Sequence, residues 1–157
     1  MKIGIGFDVH AFKPARKLII GGVEIEYQFG LEGHSDADVL VHSIMDALLG
    51  AAGLGDIGIH FPDSDKKYKD ISSLILLGDV KNKIKKNGFK IINLDSVLIL
   101  EEPKISAYIP EMINNISGIL ELNKNQINIK ATKCEGLGFC GRREGVASQS
   151  VALLEER

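Results

Sequence analysis

The 157 residues carry 19 basic against 21 acidic side chains, a net charge of −2, and 45% hydrophobic content. A chain of that size is expected to form one domain over 1–157 that buries roughly 70% of its unfolded surface. The charge balance excludes a global basic field for nucleic acid, and no apolar run approaches the ~18 residues of a membrane span.

Met1-Lys2-Ile3-Gly4 lacks the apolar run of a secretory signal. The two cysteines, Cys134 and Cys140, have no second pair with which to form a zinc ribbon or a disulfide framework. A reduced, cytoplasmic protein is the expectation.

Lys2 to Asp8 alternates strictly and predicts a strand. Residues two apart on a strand share a face, so Asp8 and His10 project together while Ile3, Ile5 and Phe7 take the other side. Leu18 to Ile25 predicts a second extended element, broken by Gly21-Gly22. Asp36 is placed to cap a helix running to about Gly50, with Val39, Ile44, Ala47, Leu48 and Ala51 on its apolar face. If His42 on that helix faces the strand, two imidazoles and one carboxylate converge, a set that suits a catalytic zinc with its fourth position open. Ordinary half-buried histidines would give the same spacing. Asp38, His42 and Asp46 stand four apart on one stripe. The flanking carboxylates are therefore expected to accept the second ring N–H of His42, with a solvated acidic face as the alternative.

Gly55 to Asp65 holds too many turn formers for a regular element and reads as a loop of the kind that carries function. A helix is predicted from Ile71 to Asn87, stopped by Gly88, with Lys81, Lys83, Lys85 and Lys86 as its solvated end. Phe89 to Leu100 predicts a strand, Pro110 opens a helix to about Leu120, and Ile127 to Thr132 predicts a short strand. Val146 to Leu154 fits either strand or helix, and strand is preferred as a partner for the others. This order favours an α+β fold in which helices pack on one face of a sheet, a two-layer sandwich.

Gly136 to Gly141 has the glycine spacing of a dinucleotide loop, but the helix, parallel strand and acidic residue that such a fold requires do not follow it. The glycines are read instead as room for backbone to approach a ligand or another subunit, with Arg142 and Arg143 supplying charge. Glu101-Glu102-Pro103-Lys104 and Ala131-Thr132-Lys133-Cys134-Glu135 both end predicted strands. Amides, Thr132 and the lysines there suit phosphate oxygens, and Glu135 suits a hard divalent cation.

Together, Gly6-Phe7-Asp8-Val9-His10, His34-Ser35-Asp36-Ala37-Asp38, Asp46 to Ala52, Gly55-Asp56-Ile57-Gly58, Phe61-Pro62-Asp63-Ser64-Asp65, Pro103-Lys104 and Gly138-Phe139 with Gly141-Arg142 strongly resemble, in order and across nearly the whole chain, the 2-C-methyl-D-erythritol 2,4-cyclodiphosphate synthase family of non-mevalonate isoprenoid biosynthesis. The resemblance implies zinc on Asp8, His10 and His42, and magnesium or manganese near Glu135 bridging two substrate phosphates. It implies that the 2-phosphate of 4-diphosphocytidyl-2-C-methyl-D-erythritol 2-phosphate attacks the β-phosphorus, expels CMP and closes an eight-membered cyclic diphosphate.

By the same likeness His34 and Ser35 hold phosphate, His34 is catalytic, and Asp8, Val9 and His10 also bind the substrate. Asp56, Ile57 and Gly58 meet the erythritol hydroxyls, and Phe61, Pro62, Asp63, Ser64 and Asp65 line that pocket. Leu100, Pro103, Lys104, Ile105, Ser106, Ala131, Thr132, Lys133 and Cys134 correspond to the cytidine diphosphate side. Family members are homotrimers built around the sheet side, with active sites between subunits. In some, a central channel takes an isoprenoid diphosphate, and Phe139, Arg142 and Glu144 match its lining. The family commonly reads Ala-Thr-Thr where this chain has Ala131-Thr132-Lys133. The usual threonine is assigned to transition-state stabilisation, so Lys133 stands at a catalytic position with either a full charge on the diphosphate or a side chain in solvent. Two other readings compete: a zinc hydrolase of a small phosphorylated metabolite, and a non-catalytic trimer that binds isoprenoid diphosphates.

Overall fold

In the computed structural model, which describes residues 1–157, the opening strand β1 runs Lys2–Pro14, well past the predicted Asp8. Strands β2 (Leu18–Ile20) and β3 (Val23–Ile25) pair antiparallel. Gly21 and Gly22 both have positive φ, 60° and 71°, as a tight two-residue turn between strands requires. A further short strand, β4 (Phe29–Leu31), pairs with the end of β1. Three residues are too few to leave a periodic signal, and the sequence reading did not place it.

Helix α1 spans Val39–Ala52, and its cap is Asp38, whose carboxylate accepts Val41 N–H at 3.1 Å. The expected cap, Asp36, serves another helix. It accepts the N–H of Ser73 at 3.0 Å, at the start of α3 (Ser73–Lys86). Either aspartate fits the local pattern before Val39, and only the tertiary fold decides which helix each one caps. The predicted 55–65 loop contains a single helical turn, α2 (Ile57–His60), capped by Asp56 through Ile59 N–H at 3.0 Å. A 3-10 turn at Lys66–Tyr68 follows.

Strand β5 (Phe89–Ile99), helix α4 (Ile109–Leu120) and strand β6 (Ile127–Thr132) come next, close to their predicted bounds. One helical turn, α5 (Gly138–Gly141), precedes β7 (Gly145–Glu156). Thus 146–154 is strand. It read ambiguously because the open face of β7 is apolar too, with Ala147, Val151 and Leu153 alternating with the buried Val146, Ala152 and Leu154, which erases polar alternation.

The five-stranded order is β4-β1-β7-β5-β6, antiparallel except for β5 beside β6. Helix α1 lies across β1 and β7, α3 beside α1, and α4 against α3 and β6, so the helices cover one face. Contact between α1 and β1 is backbone to backbone. A Cβ on Gly4 would stand 2.0 Å from the Ala47 carbonyl oxygen, and one on Gly6 2.0 Å from that of Ser43. Ser43, Ser96, Ser148 and Ser150 satisfy one another beneath the helix at 2.7–2.8 Å, so this polar strip of the core is fully paired.

The opposite face carries an inverted pattern. Ile3, Ile5, Phe7 and Val9 of β1 are 74, 62, 55 and 44% exposed, while Gly4 and Gly6 are buried. The apolar side of the alternation therefore faces outward from this chain.

Candidate metal centre and adjoining clefts

Because Gly4, Gly6, Asp8 and His10 share the helix-covered face of β1, the two ligand-type side chains emerge where that strand passes the start of α1. His42, one turn into α1, meets them. Asp8 Oδ2 is 2.9 Å from His10 Nε2 and 3.1 Å from His42 Nδ1, and the two ring nitrogens are 3.2 Å apart. These atoms form the group of three or more metal-ligand side chains in the molecule. Ligand atoms bound tetrahedrally at ~2.0–2.2 Å stand about 3.3 Å apart, so the donors are already near the spacing that a zinc-like cation requires.

The outer shell fixes both rings. His10 Nδ1 donates to the Glu32 carbonyl at 2.6 Å, which leaves its Nε2 lone pair facing the trio. His42 Nε2 stands 2.9 Å from Ser73 Oγ and 3.2 Å from Ser35 Oγ. The expected carboxylate partners of this ring are not there. Asp38 turns to the amides of Gly21 and Gly22 at 2.9 and 2.7 Å, besides its cap bond, and Asp46 accepts Ile57 N–H at 2.8 Å. Sharing a helix stripe brought them near, but unpaired backbone donors within reach captured both short carboxylates.

Burial pushes the Asp8 carboxyl up, but the hydrogen bonds and charges of His10 and His42 outweigh it and bring the group to about 2. Burial likewise lowers His42, yet the hydrogen bond and charge of Asp8, with the charges of Asp38 and Asp36, leave it above its ordinary value. At Asp38 desolvation, aided by the charge of Asp36, wins over three backbone N–H donors and raises the carboxyl to about 6. The ionised Asp8 between two imidazoles favours a positive occupant.

The trio opens into a cavity of about 390 Å³ that also takes in Gly33, His34, Ser35, Met45, Ile57, Gly58, Phe61, Pro62, Asp63, Tyr68 and Leu76. His34 Nε2 is buried at this wall without a hydrogen-bond partner. Arg16 clamps this loop by donating to the Gly33 and Ser35 carbonyls at 2.8 and 2.9 Å. Gly33, Met45, Tyr68, Leu76 and Arg16 escaped the sequence reading because none sits in a chemical motif. Four predicted residues lie outside the lining. Val9 points to the opposite sheet face, Asp56 and Asp65 are spent on caps, Asp65 also pairing with Lys67 at 3.0 Å, and Ser64 stays in the turn between.

A second cleft of about 420 Å³ gathers Leu100, Glu101, Glu102, Pro103, Lys104, Ile105, Ser106, Ala131, Thr132 and Lys133. This is nearly the whole predicted cytidine-side set. Beyond it Glu101 accepts the N–H groups of Cys134 and Gly136 at 2.8 and 3.3 Å, which shapes the turn carrying an exposed Glu135 with φ 52°. Cys134 faces a smaller apolar cavity of about 210 Å³, shared with Phe7, Leu137 and Phe139. Arg142 and Arg143, expected to supply charge there, pair with Glu144 at 2.8 Å and Glu102 at 3.2 Å.

The two clefts do not meet within the chain. Asp8 pairs with Ser148, Ser148 with Leu98 and Leu98 with Ala131, so three strand spacings, roughly 14 Å, separate the metal trio from the second cleft.

Fold and site together define an α+β protein with a candidate metal centre at a strand–helix junction and a second, distant cleft at the far sheet edge. The sequence profile of the YgbB family matches residues 1–155. A relative from Clostridium novyi, named 2-C-methyl-D-erythritol 2,4-cyclodiphosphate synthase, is 57% identical over 157 residues, all of both chains. One of the same name from Clostridium acetobutylicum is 60% identical over 98% of this chain and 99% of its own. Among solved structures, the bifunctional IspDF of Campylobacter jejuni superposes with a TM-score of 0.96 at 46% identity, over 99% of this chain and 42% of that one. The Plasmodium falciparum IspF in complex with CDP gives 0.87 at 34% identity, over 99% and 96%. The chain belongs to the YgbB family.

Proposed function

We propose that this chain, acting as one catalytic domain, converts 4-diphosphocytidyl-2-C-methyl-D-erythritol 2-phosphate to 2-C-methyl-D-erythritol 2,4-cyclodiphosphate with release of CMP, in isoprenoid biosynthesis. The observation that carries this reading is the Asp8–His10–His42 trio opening into a cavity, in a chain matched end to end by relatives of that name. In the reaction an oxygen of the 2-phosphate bonds to the β-phosphorus, the bridging bond to the α-phosphate breaks, and CMP carries away the displaced oxygen. A phosphate oxygen is already a competent nucleophile at neutral pH. What remains is to bring two anions together in line and neutralise them.

The donor set and spacing fit zinc on Asp8, His10 and His42; bound there, it supplies Lewis-acid polarisation of a phosphate oxygen. His34, through its unpartnered Nε2, and Ser35 orient the attacking phosphate. Ile57, Gly58, Phe61, Pro62 and Asp63 enclose the erythritol, while Asp56, Ser64 and Asp65 hold the backbone of that wall and Val9 sets the strand. On the second cleft, Lys104, Thr132 and Lys133 meet the diphosphate, and Leu100, Pro103, Ile105, Ser106, Ala131 and Cys134 shape the nucleotide side. A single exposed carboxylate such as Glu135 fits magnesium or manganese, which binds through one or two carboxylates together with substrate phosphates.

Closure of so long a substrate requires the first cleft of one copy to face the second cleft of another. A homotrimer around the open sheet face would achieve this and would cover Ile3, Ile5, Phe7 and Val9. Phe139 and Arg142, beside that face, would then line a central channel suited to an isoprenoid diphosphate. No helix is long and apolar enough to cross a membrane. Two unpaired cysteines suit the cytoplasm.

Phosphorus NMR of the products tests the reading. A cyclic diphosphate with stoichiometric CMP is expected, and inorganic phosphate in its place would overturn it in favour of a hydrolase.

A further inference from the structure

One ring atom of the metal trio, His42 Nε2, points away from the cation position and into the protein. We infer that Asp36 and Ser73 are positioning residues that lock His42 as its Nε2–H tautomer and so aim the Nδ1 lone pair at the metal. The inference rests on the zinc reading above.

Asp36 accepts three bonds, from Ser73 Oγ–H and Asp38 N–H at Oδ1 and from Ser73 N–H at Oδ2. A carboxylate has no proton to give, so the Ser73 hydroxyl proton is committed to Asp36. Only oxygen lone pairs of Ser73 then face His42 Nε2, 2.9 Å away. A lone pair on Nε2 would confront them, whereas a proton there completes a hydrogen bond. Ser35 Oγ, 3.2 Å from the same nitrogen, cannot set the tautomer alone. Its other bond is one that it accepts, from Ala37 N–H at 3.3 Å, and its hydroxyl is free to give or take. With the proton on Nε2, Nδ1 keeps its lone pair, and Nδ1 is the atom 3.1 Å from Asp8 and 3.2 Å from His10.

The arrangement also couples the centre to a distant element. Ser73 is the first residue of α3, and one carboxylate both caps that helix and polarises the serine. A shift of the α3 N-terminus would therefore turn the His42 ring, and Leu76, one turn further on, lines the same cavity.

Zinc affinity, measured with the metal alone against a chromophoric chelator, is the readout, together with nitrogen-15 NMR of the His42 ring in the metal-free protein. The NMR is recorded at about pH 9, well above the ordinary histidine value. Wild type should show Nε2 protonated. Ser73→Ala should weaken zinc by about 10- to 100-fold, the usual cost of losing a metal ligand's outer partner. Ser73→Thr, which keeps the hydroxyl, should stay within about threefold of wild type, a rescue that loss of packing alone would not give. Asp36→Ala should also weaken zinc, but should add less than about threefold in the Ser73→Ala background, because its effect passes through the serine.

A wild-type ring protonated at Nδ1 overturns the inference with no variant needed. So does unchanged zinc affinity in folded Ser73→Ala, or full additivity of the two changes. Wild type that takes up no zinc overturns instead the zinc reading beneath it.

Discussion

Lys133 stands exposed on the wall of the second cleft beside Thr132. A lysine ammonium touching a diphosphate contributes about 1.5–3 kcal/mol. Lys133→Ala should accordingly lower turnover or affinity roughly tenfold or more, and Lys133→Thr should recover most of the loss. Unchanged steady-state kinetics in the alanine variant would place the side chain in solvent.

A second expectation at this scale follows from the protons at the centre. Asp8, held at about 2, stays ionised through the neutral range, so acidification is expected to act on His42. His42 is held above its ordinary value by Asp8 and the other nearby carboxylates, against the opposing pull of burial. A raised value means that the proton is kept to higher pH, so it competes with the cation earlier as pH falls. Apparent zinc affinity should drop about tenfold per pH unit for each proton displaced as the solution is taken from about pH 8 to 6. A flat titration would mean that His42 is no ligand.

Among the elements, contact between β1 and α1 places Asp8, His10 and His42, and two glycines permit it. Gly6→Ala would force a Cβ to within 2.0 Å of backbone oxygen, which only movement of the helix relieves. Overpacking of this kind should cost about 3 kcal/mol, read as a lower urea midpoint, with loss of zinc binding as the helix shifts. A midpoint within experimental error of wild type would mean that the helix has slack.

The glycines were visible in the sequence, and glycine in a strand signals close backbone approach, yet their alternation with Ile3, Ile5 and Phe7 read only as a two-faced strand. Long periodic elements, α3 and β5 above all, were legible because burial imposes their periods. Cap assignment was not. Asp36 and Asp38 look alike locally, and their partners at Ser73 and at Gly21-Gly22 are far away in sequence. The trio was legible because strand and helix geometry alone bring Asp8, His10 and His42 near one another, whereas Ser73, Arg16 and Tyr68 reach the site only through tertiary contact.

For the whole molecule, an apolar row on β1 and two clefts that do not meet within the chain fit the proposed association of copies. Sedimentation should give the mass of three chains, and Phe7→Glu on the open face should shift the distribution toward monomer and abolish turnover while leaving the fold intact. Turnover by a stable monomer would remove the need for a partner.

In the proposed trimer each chain carries two half-sites made whole between copies, and mixing two inactive variants tests this. His42→Ala disables the metal side, and Lys104→Ala with Thr132→Ala disables the nucleotide side, so each protein alone should be inactive. Unfolded together and reassembled, they should regain partial activity, because some interfaces in mixed trimers join two intact halves. If mass spectrometry finds mixed trimers and the mixture remains inactive, the site lies within one chain and the account is contradicted.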